Sequence, residues 1–356
     1  MKITEVQSRV ERFALSRPYT IQFRTIDAVE NVVVELHTDQ GAIGLGTGSP
    51  ESFVTGETDA ACQAALQPER LQFLVGRDVR DCRALVRELE LQTAATPAAR
   101  AAVDIALHDL FAQYMERPLV DCLGRAHQSL PTSITIGIGT IDEALAQVDE
   151  YRERGFRILK VKVGKSLEQD LARMHAIRER AGPDMGIRVD PNQGYDADDL
   201  QRFLRETDSL GVEFVEQPMP AATMAEQLRL LPEDVRRRVA ADESLLTARD
   251  AVQLAAPEPA CGVYNIKLMK CGGVQAALQI ADVAQAAGIE LMWGCMDESV
   301  ISIAAALHAA LASPATRYLD LDGSLDLARD IAGGGFVLED GMLSTLDRPG
   351  LGVQLL

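Results

Sequence analysis

Three carboxylates and three lysines stand at or near the ends of short apolar runs. Asp190, Glu216 and Asp242 close GIRVD, VEFVE and VAAD, while Lys160, Lys162 and Lys267 lie in ILKVKVG and VYNIKLM. Grouped carboxylates repel one another, whereas a hard divalent cation favours their ionised forms and leaves coordination positions for substrate oxygen and water. An oxygen-only set favours Mg²⁺ or Mn²⁺ over softer metals, and none of the five histidines falls at these run ends. Two amines reaching one carbon from opposite sides are the minimum equipment for exchanging its stereochemistry. A single strand-ending Asp serves as readily as a helix cap or as one half of a salt bridge, but three on consecutive runs weaken that reading. A lone lysine is as readily a solvated head on a buried stem, and that is the preferred reading for Lys165 and Lys270.

Such residues need a scaffold that gathers distant parts of the chain. From Thr132 onward, apolar runs recur at 134–139, 158–164, 186–190, 212–218, 239–244, 263–269, 289–294 and 317–322. Lys162, Asp190, Glu216, Asp242, Lys267, Trp293 and Asp320 follow one another at intervals of 28, 26, 26, 25, 26 and 27 residues. That interval suits a strand, loop, helix and returning loop in a parallel β/α unit, and eight such units make a barrel. The stretch 198–208 places Leu200, Phe203 and Leu204 on one side and charges on the other, as a helix covering the strands requires. Alternation puts Lys160 and Lys162 on one face of the second run.

The first part of the chain follows another rule. Residues 2–10, 19–25 and 31–38 have strand-like content with a turn at TDQG, and helices are expected at 58–66, 81–91 and from Pro97 to about Met115, the last with Val103, Leu107, Leu110 and Tyr114 on one stripe. The expected organisation is an α+β domain over 1–125, a barrel over 126–322, and a segment of turns and short strands over 323–356 that returns toward the N-terminal sheet. A net charge of −18 on 356 residues argues against nucleic acid and anionic membranes as partners. The N-terminus lacks an apolar signal stretch, so a cytoplasmic location is expected. Six cysteines without CxxC spacing indicate reduced thiols. Self-association into a homo-oligomer is left open.

Taken together, ILKVKVG, RVDPNQG, VEQP, ADES, NIKLMKCGG and the late DLD resemble the muconate-lactonising branch of the enolase superfamily, and within it the dipeptide epimerases, such as L-Ala-D/L-Glu epimerases. The resemblance covers nearly the whole chain. It implies an α/β fold, a modified TIM barrel (β/α)₇β under an N-terminal α+β cap, with Mg²⁺ held by Asp190, Glu216 and Asp242. It further implies removal of the proton beside a carboxylate, with Lys160 opposing the charge of the ene-diolate and Lys162 and Lys267 as the two bases.

Asp320 and Asp322 alternate on the last run and form a cradle for an ammonium group; in dipeptide epimerases the corresponding Asp-x-Asp receives the substrate's N-terminus. A solvated turn, or a salt bridge of this pair with Arg317, is the competing reading. Thr135, on the first run, is counted with the substrate-binding residues. Arg24 resembles a cap arginine of glutamate-preferring relatives. Asp297 stands where those relatives would carry an apolar residue, and Thr47 where the family's GEA-like turn is acidic. With Glu51 and Glu57, Asp297 points to a cationic second residue in the dipeptide. Rival activities are L-Ala-D/L-Glu epimerase, N-acylamino acid racemase, o-succinylbenzoate synthase and muconate cycloisomerase; outside catalysis, the rival is a small-molecule binding barrel. Gly272 and Gly273 offer either amides for a phosphate or the freedom for a tight loop.

Overall fold

The computed structural model describes residues 1–20 and 25–356. Eight parallel strands hydrogen-bond in chain order: Ile134–Ile136, Ile158–Lys162, Gly186–Asp190, Val212–Glu216, Val239–Ala241, Val263–Ile266, Glu290–Gly294 and Thr316–Asp320. A parallel bridge between Thr132 and Leu319 joins the eighth strand to the first. This is the barrel that the recurring runs foreshadow, and the antiparallel sheet of residues 3–48 caps it.

The outer helices form where the pattern places an apolar face and a start signal. Ala197–Glu206 buries Leu200, Phe203 and Leu204, and the Asp196 side chain accepts from the amides of Asp198 and Asp199. Thr140 and Thr247 open two other helices with reciprocal capping boxes to Glu143 and Asp250, which satisfy amides that a helix start leaves unpaired. Inside the barrel, Phe214, Ala240, Val263 and Met292 pack with Tyr318 into an apolar floor of their own. The polar ends of the strands stand above it.

The strand content at 2–10 proves to be part of a longer element, while the run expected at 19–25 falls partly on residues 21–24, outside the described residues. Ile3–Thr20 runs as a single strand, antiparallel to Thr25–Thr38, with a register shift between Ala14 and Tyr19. The bulged ribbon carries polar residues because much of it lies outside the cap core, which hides its length from a search for apolar runs. The third strand, Ile43–Gly48, lies so close to the helix Pro97–Tyr114 that a Cβ at Gly44, Gly46 or Gly48 would strike the backbone at Ala106, Ala102 or Ala98.

That helix also departs from the one-stripe expectation. Val103, Leu107 and Leu110 are buried, but so are Arg100, Asp104, His108 and Asp109, whereas Tyr114 is exposed. It lies between the cap sheet and the barrel loop after the sixth strand, so both sides need partners. The last residues do not join the N-terminal sheet. Ala332–Gly334 pairs with Val353–Leu355, and Phe336–Glu339 with Met342–Thr345; contact with the cap is made through bridges such as Leu15 to Leu327. The segment nevertheless returns to the edge of that sheet, where the Ser16 amide donates to the Asp326 carbonyl and the Ala328 amide to the Ala14 carbonyl. Among the described residues all six cysteines are unpaired, and no helix is long and apolar enough to cross a membrane.

Candidate active site

Strand alternation sends Lys160 and Lys162 inward from the second strand, and their ammoniums meet carboxylates of neighbouring strands. Lys162 Nζ lies 2.7 Å from Asp190 Oδ2. Lys160 Nζ stands 2.8 Å from both Glu216 Oε2 and Asp320 Oδ2, and 3.3 Å from Asp190 Oδ2. Across the barrel, Lys267 Nζ is 2.8 Å from Asp242 Oδ2. The second and sixth of eight strands are four apart in either direction, so Lys162 and Lys267 rise from opposite walls.

The expected triad Asp190, Glu216 and Asp242 is brought to one place and buried. As they stand, these three do not form a chelating cluster, nor does any other group of three His, Cys, Asp or Glu among the described residues; lysine ammoniums lie between them. Their chemistry nevertheless fits a hard cation. Glu216 Oε2 is buried without a hydrogen-bond donor: Lys160 reaches it as an ion pair but not in hydrogen-bonding alignment. Burial and the charges of Asp190 and Asp242 push Glu216 up to about 8. Burial alone would lower Lys160, yet Asp320, Glu216 and Asp190 hold it well above the ordinary lysine range. Burial would likewise raise Asp242, but Lys267 and Lys270 keep it well below the ordinary carboxylate range.

Above this layer opens a cavity of about 890 Å³ that runs up to the cap. Thr135, Glu51, Asp297, Asp320 and Asp322 all line it. The last two do not share one role in the geometry. Asp320 gives one oxygen to Lys160 and the other to the hydroxyl of Ser133, 2.6 Å away. Asp322 accepts the Thr135 amide at 2.9 Å, and burial with the Asp320 charge pushes it up to about 7. Neither pairs with Arg317, whose carboxylate neighbour is Glu290. On the cap side the Tyr19 hydroxyl donates to Asp297 Oδ2 at 2.9 Å. Glu57 lies at the N-terminus of the helix Pro97–Tyr114, accepting from Ala98 and Ala99. Thr47 is fully buried in the cap. Arg24 lies outside the described residues.

Several participants escape a reading of the sequence. Lys270, expected as a solvated head, is buried and binds the Asp242 carboxylate, the Asp242 carbonyl at 2.7 Å and the Asn265 carbonyl at 2.9 Å; burial pulls its pKa down. The short turn Leu268–Cys271 directs it back into the barrel wall, which strand alternation does not foresee. Asn265 donates to Glu216 Oε1 at 2.8 Å, and its position two residues before Lys267 was the available signal. Gly272 and Gly273, with φ of 92° and 112°, make a tight loop filled by the cap helix: a Cβ on either would strike Arg100 or Asp104. Arg100 donates to the Cys271 carbonyl at 2.8 Å, and Asp104 accepts from the Val274 amide. These side chains occupy the space that a phosphate would need.

Residues 3–124 match the model of the mandelate racemase / muconate lactonizing enzyme N-terminal domain, and 143–356 the enolase C-terminal domain-like model. The chain belongs to the mandelate racemase/muconate lactonizing enzyme family of the enolase superfamily. Within this family, a protein from Methylococcus capsulatus named L-Lys-D/L-Arg epimerase is 58% identical over 353 residues, 99% of each chain. Another of that name from Desulforapulum autotrophicum is 55% identical over 355 residues, again 99% of each. The crystal structure of the Methylococcus capsulatus dipeptide epimerase with Mg and the dipeptide L-Arg-D-Lys superposes with a TM-score of 0.98, covering 99% of both chains at 58% identity.

Proposed function

We propose that this chain is a Mg²⁺-dependent dipeptide epimerase that inverts the α-carbon of the C-terminal residue of an L,L- or L,D-dipeptide and prefers a cationic side chain there. The observation that carries the reading is the placement of Lys162 and Lys267 on opposite walls of one cavity. The names of the similar Methylococcus capsulatus and Desulforapulum autotrophicum proteins support the same substrate class. When bound among Asp190, Glu216 and Asp242, Mg²⁺ would offset the carboxylate charge and acidify the proton beside the substrate carboxylate.

The chain's own groups then divide the work. Lys162 takes the α-proton on one face and Lys267 delivers one on the other; the reverse reaction exchanges their roles. As the proton leaves, negative charge moves onto the substrate carboxylate, where the Lys160 ammonium opposes it. Asp322, with Asp320 beside it, receives the N-terminal ammonium. Thr135 holds Asp322 through its backbone amide. Asp297 and Glu51, on the cap side, face the second side chain and favour positive charge.

Exchange of the α-proton in D₂O with Mg²⁺ tests the reading across L-Ala-L-Lys, L-Ala-L-Arg, L-Ala-L-Glu and an N-acetylated analogue. Rapid exchange with the cationic members and loss on acetylation is the expected result. A preference for L-Ala-L-Glu would remove the charge argument, and no exchange anywhere in the panel would favour a binding protein.

A further inference from the structure

Arg188 has no part in the scheme so far, although it lies beside Lys160 on the neighbouring strand. It is 1% exposed and faces inward from the third strand, opposite Lys160 in register. Its guanidinium stacks over Phe214 and Tyr318, 5.6 and 4.9 Å from the ring centres. Nε donates to Glu213 Oε2 at 2.8 Å. Nη1 donates to the Leu319 carbonyl at 2.6 Å and to Ser133 Oγ at 3.3 Å. The third and fourth strands pair irregularly, Ile187 with Val212 and Val189 with Val215. That additional residue lets both Glu213 and Phe214 reach Arg188, a re-aiming typical of a bulge.

Ser133 and Leu319 border the seam where the barrel closes. A guanidinium has donors and no acceptor, so Ser133 Oγ must accept from it. The Leu319 carbonyl, 3.2 Å from that hydroxyl, already accepts from Arg188 and from the Ser133 amide. The one hydroxyl proton is therefore best placed on Asp320 Oδ1, 2.6 Å away, while Asp320 Oδ2 accepts from Lys160 at 2.8 Å.

We propose that Arg188 is a positioning residue: by fixing the direction of the Ser133 hydroxyl it holds Asp320, and through Asp320 it aims the Lys160 ammonium at the substrate carboxylate. The inference rests on the role given to Lys160 above. A residue that only fills the barrel floor would act independently of Ser133.

The test is a double-mutant cycle on the Mg²⁺-loaded full chain. Arg188→Met keeps bulk on the two rings and removes every donor; kcat should fall about 30-fold, and Ser133→Ala should lower it about 10-fold. Combined, they should cost about 30-fold rather than the roughly 300-fold of independent changes. Ser133→Thr, which keeps the hydroxyl, should retain kcat, and Mg²⁺ affinity by calorimetry should stay unchanged throughout. If Arg188→Met does not fold, Arg188→Lys replaces it: the charge beside Glu213 is kept, but the forked reach to Leu319 and Ser133 is lost. Multiplicative losses, or an unchanged kcat with a lowered melting temperature, would reduce Arg188 to packing. Failure of the unmutated chain to turn over any dipeptide would count against the proposed function instead.

Discussion

At the base of the cavity, carboxylates are answered by ammoniums: Asp190 by Lys162, Asp242 by Lys267 and Lys270, Asp320 by Lys160. Toward the rim, amides and hydroxyls contribute as well: the start of a helix to Glu57, Thr140 to Glu143, Tyr19 to Asp297. An ammonium cancels charge, whereas an amide only solvates it. Removing one member of a buried ion pair leaves its partner exposed to the full desolvation cost, so the base is rigidly committed to its chemistry. Glu57, Glu143 and Asp297 line the outer part of the cavity, and the proposed preference for a cationic side chain belongs to that layer.

Lys267→Ala should break this division most severely. Epimerisation should fall about 1,000-fold or more, while chiral analysis and α-proton NMR in D₂O show that exchange through Lys162 survives. Equal loss of both, with folding and Mg²⁺ binding intact, would overturn the two-base assignment. Next comes Asp322→Asn: kcat/KM for dipeptides with a free ammonium should drop about 100-fold, and any residual rate on N-acetylated analogues should not change.

A third prediction concerns a buried group that lies in neither region. The Val120 amide donates to His308 Nδ1 at 2.9 Å, which requires a neutral ring, and burial pushes His308 down to about 4. Its folded pKa lies below the unfolded value of roughly 6.5, so its contribution is complete above that value and is lost as pH falls toward about 4. Urea unfolding at pH 7 and 4.5 should show about 2 kcal/mol less pH-dependent loss in His308→Asn than in the parent chain. If the comparison of base and rim holds, that variant keeps the parent's substrate preference at pH 7. The smallest effect is expected at the rim itself. Asp297→Leu should lower kcat/KM about tenfold for a lysine or arginine second residue, and leave α-proton exchange of an apolar dipeptide unchanged.

Much of this arrangement is legible in the sequence because a parallel barrel repeats. Polar residues ending runs about 26 apart must converge once the sheet closes, and Lys162, Asp190, Glu216, Asp242, Lys267 and Asp320 do so. What stays hidden depends on contacts between non-neighbouring strands or on turns. Ser133 and Arg188 meet only across the closed barrel. Lys270 reaches Asp242 because one short turn reverses it, and in sequence it is indistinguishable from Lys165. The Ile3–Thr20 ribbon is concealed for a different reason: hydrogen bonding to its partner strand, not apolar burial, defines its full length.

The grip of Arg100 and Asp104 on the loop that follows Lys267 ties the two halves of the chain together. A barrel cut free of the cap would bare the Cys271 carbonyl and the Val274 amide, and would loosen the backbone that follows Lys267. Chimaeras that borrow a relative's cap to accept new peptides should therefore succeed only when the arginine and the aspartate travel with it, whatever the donor offers at the mouth.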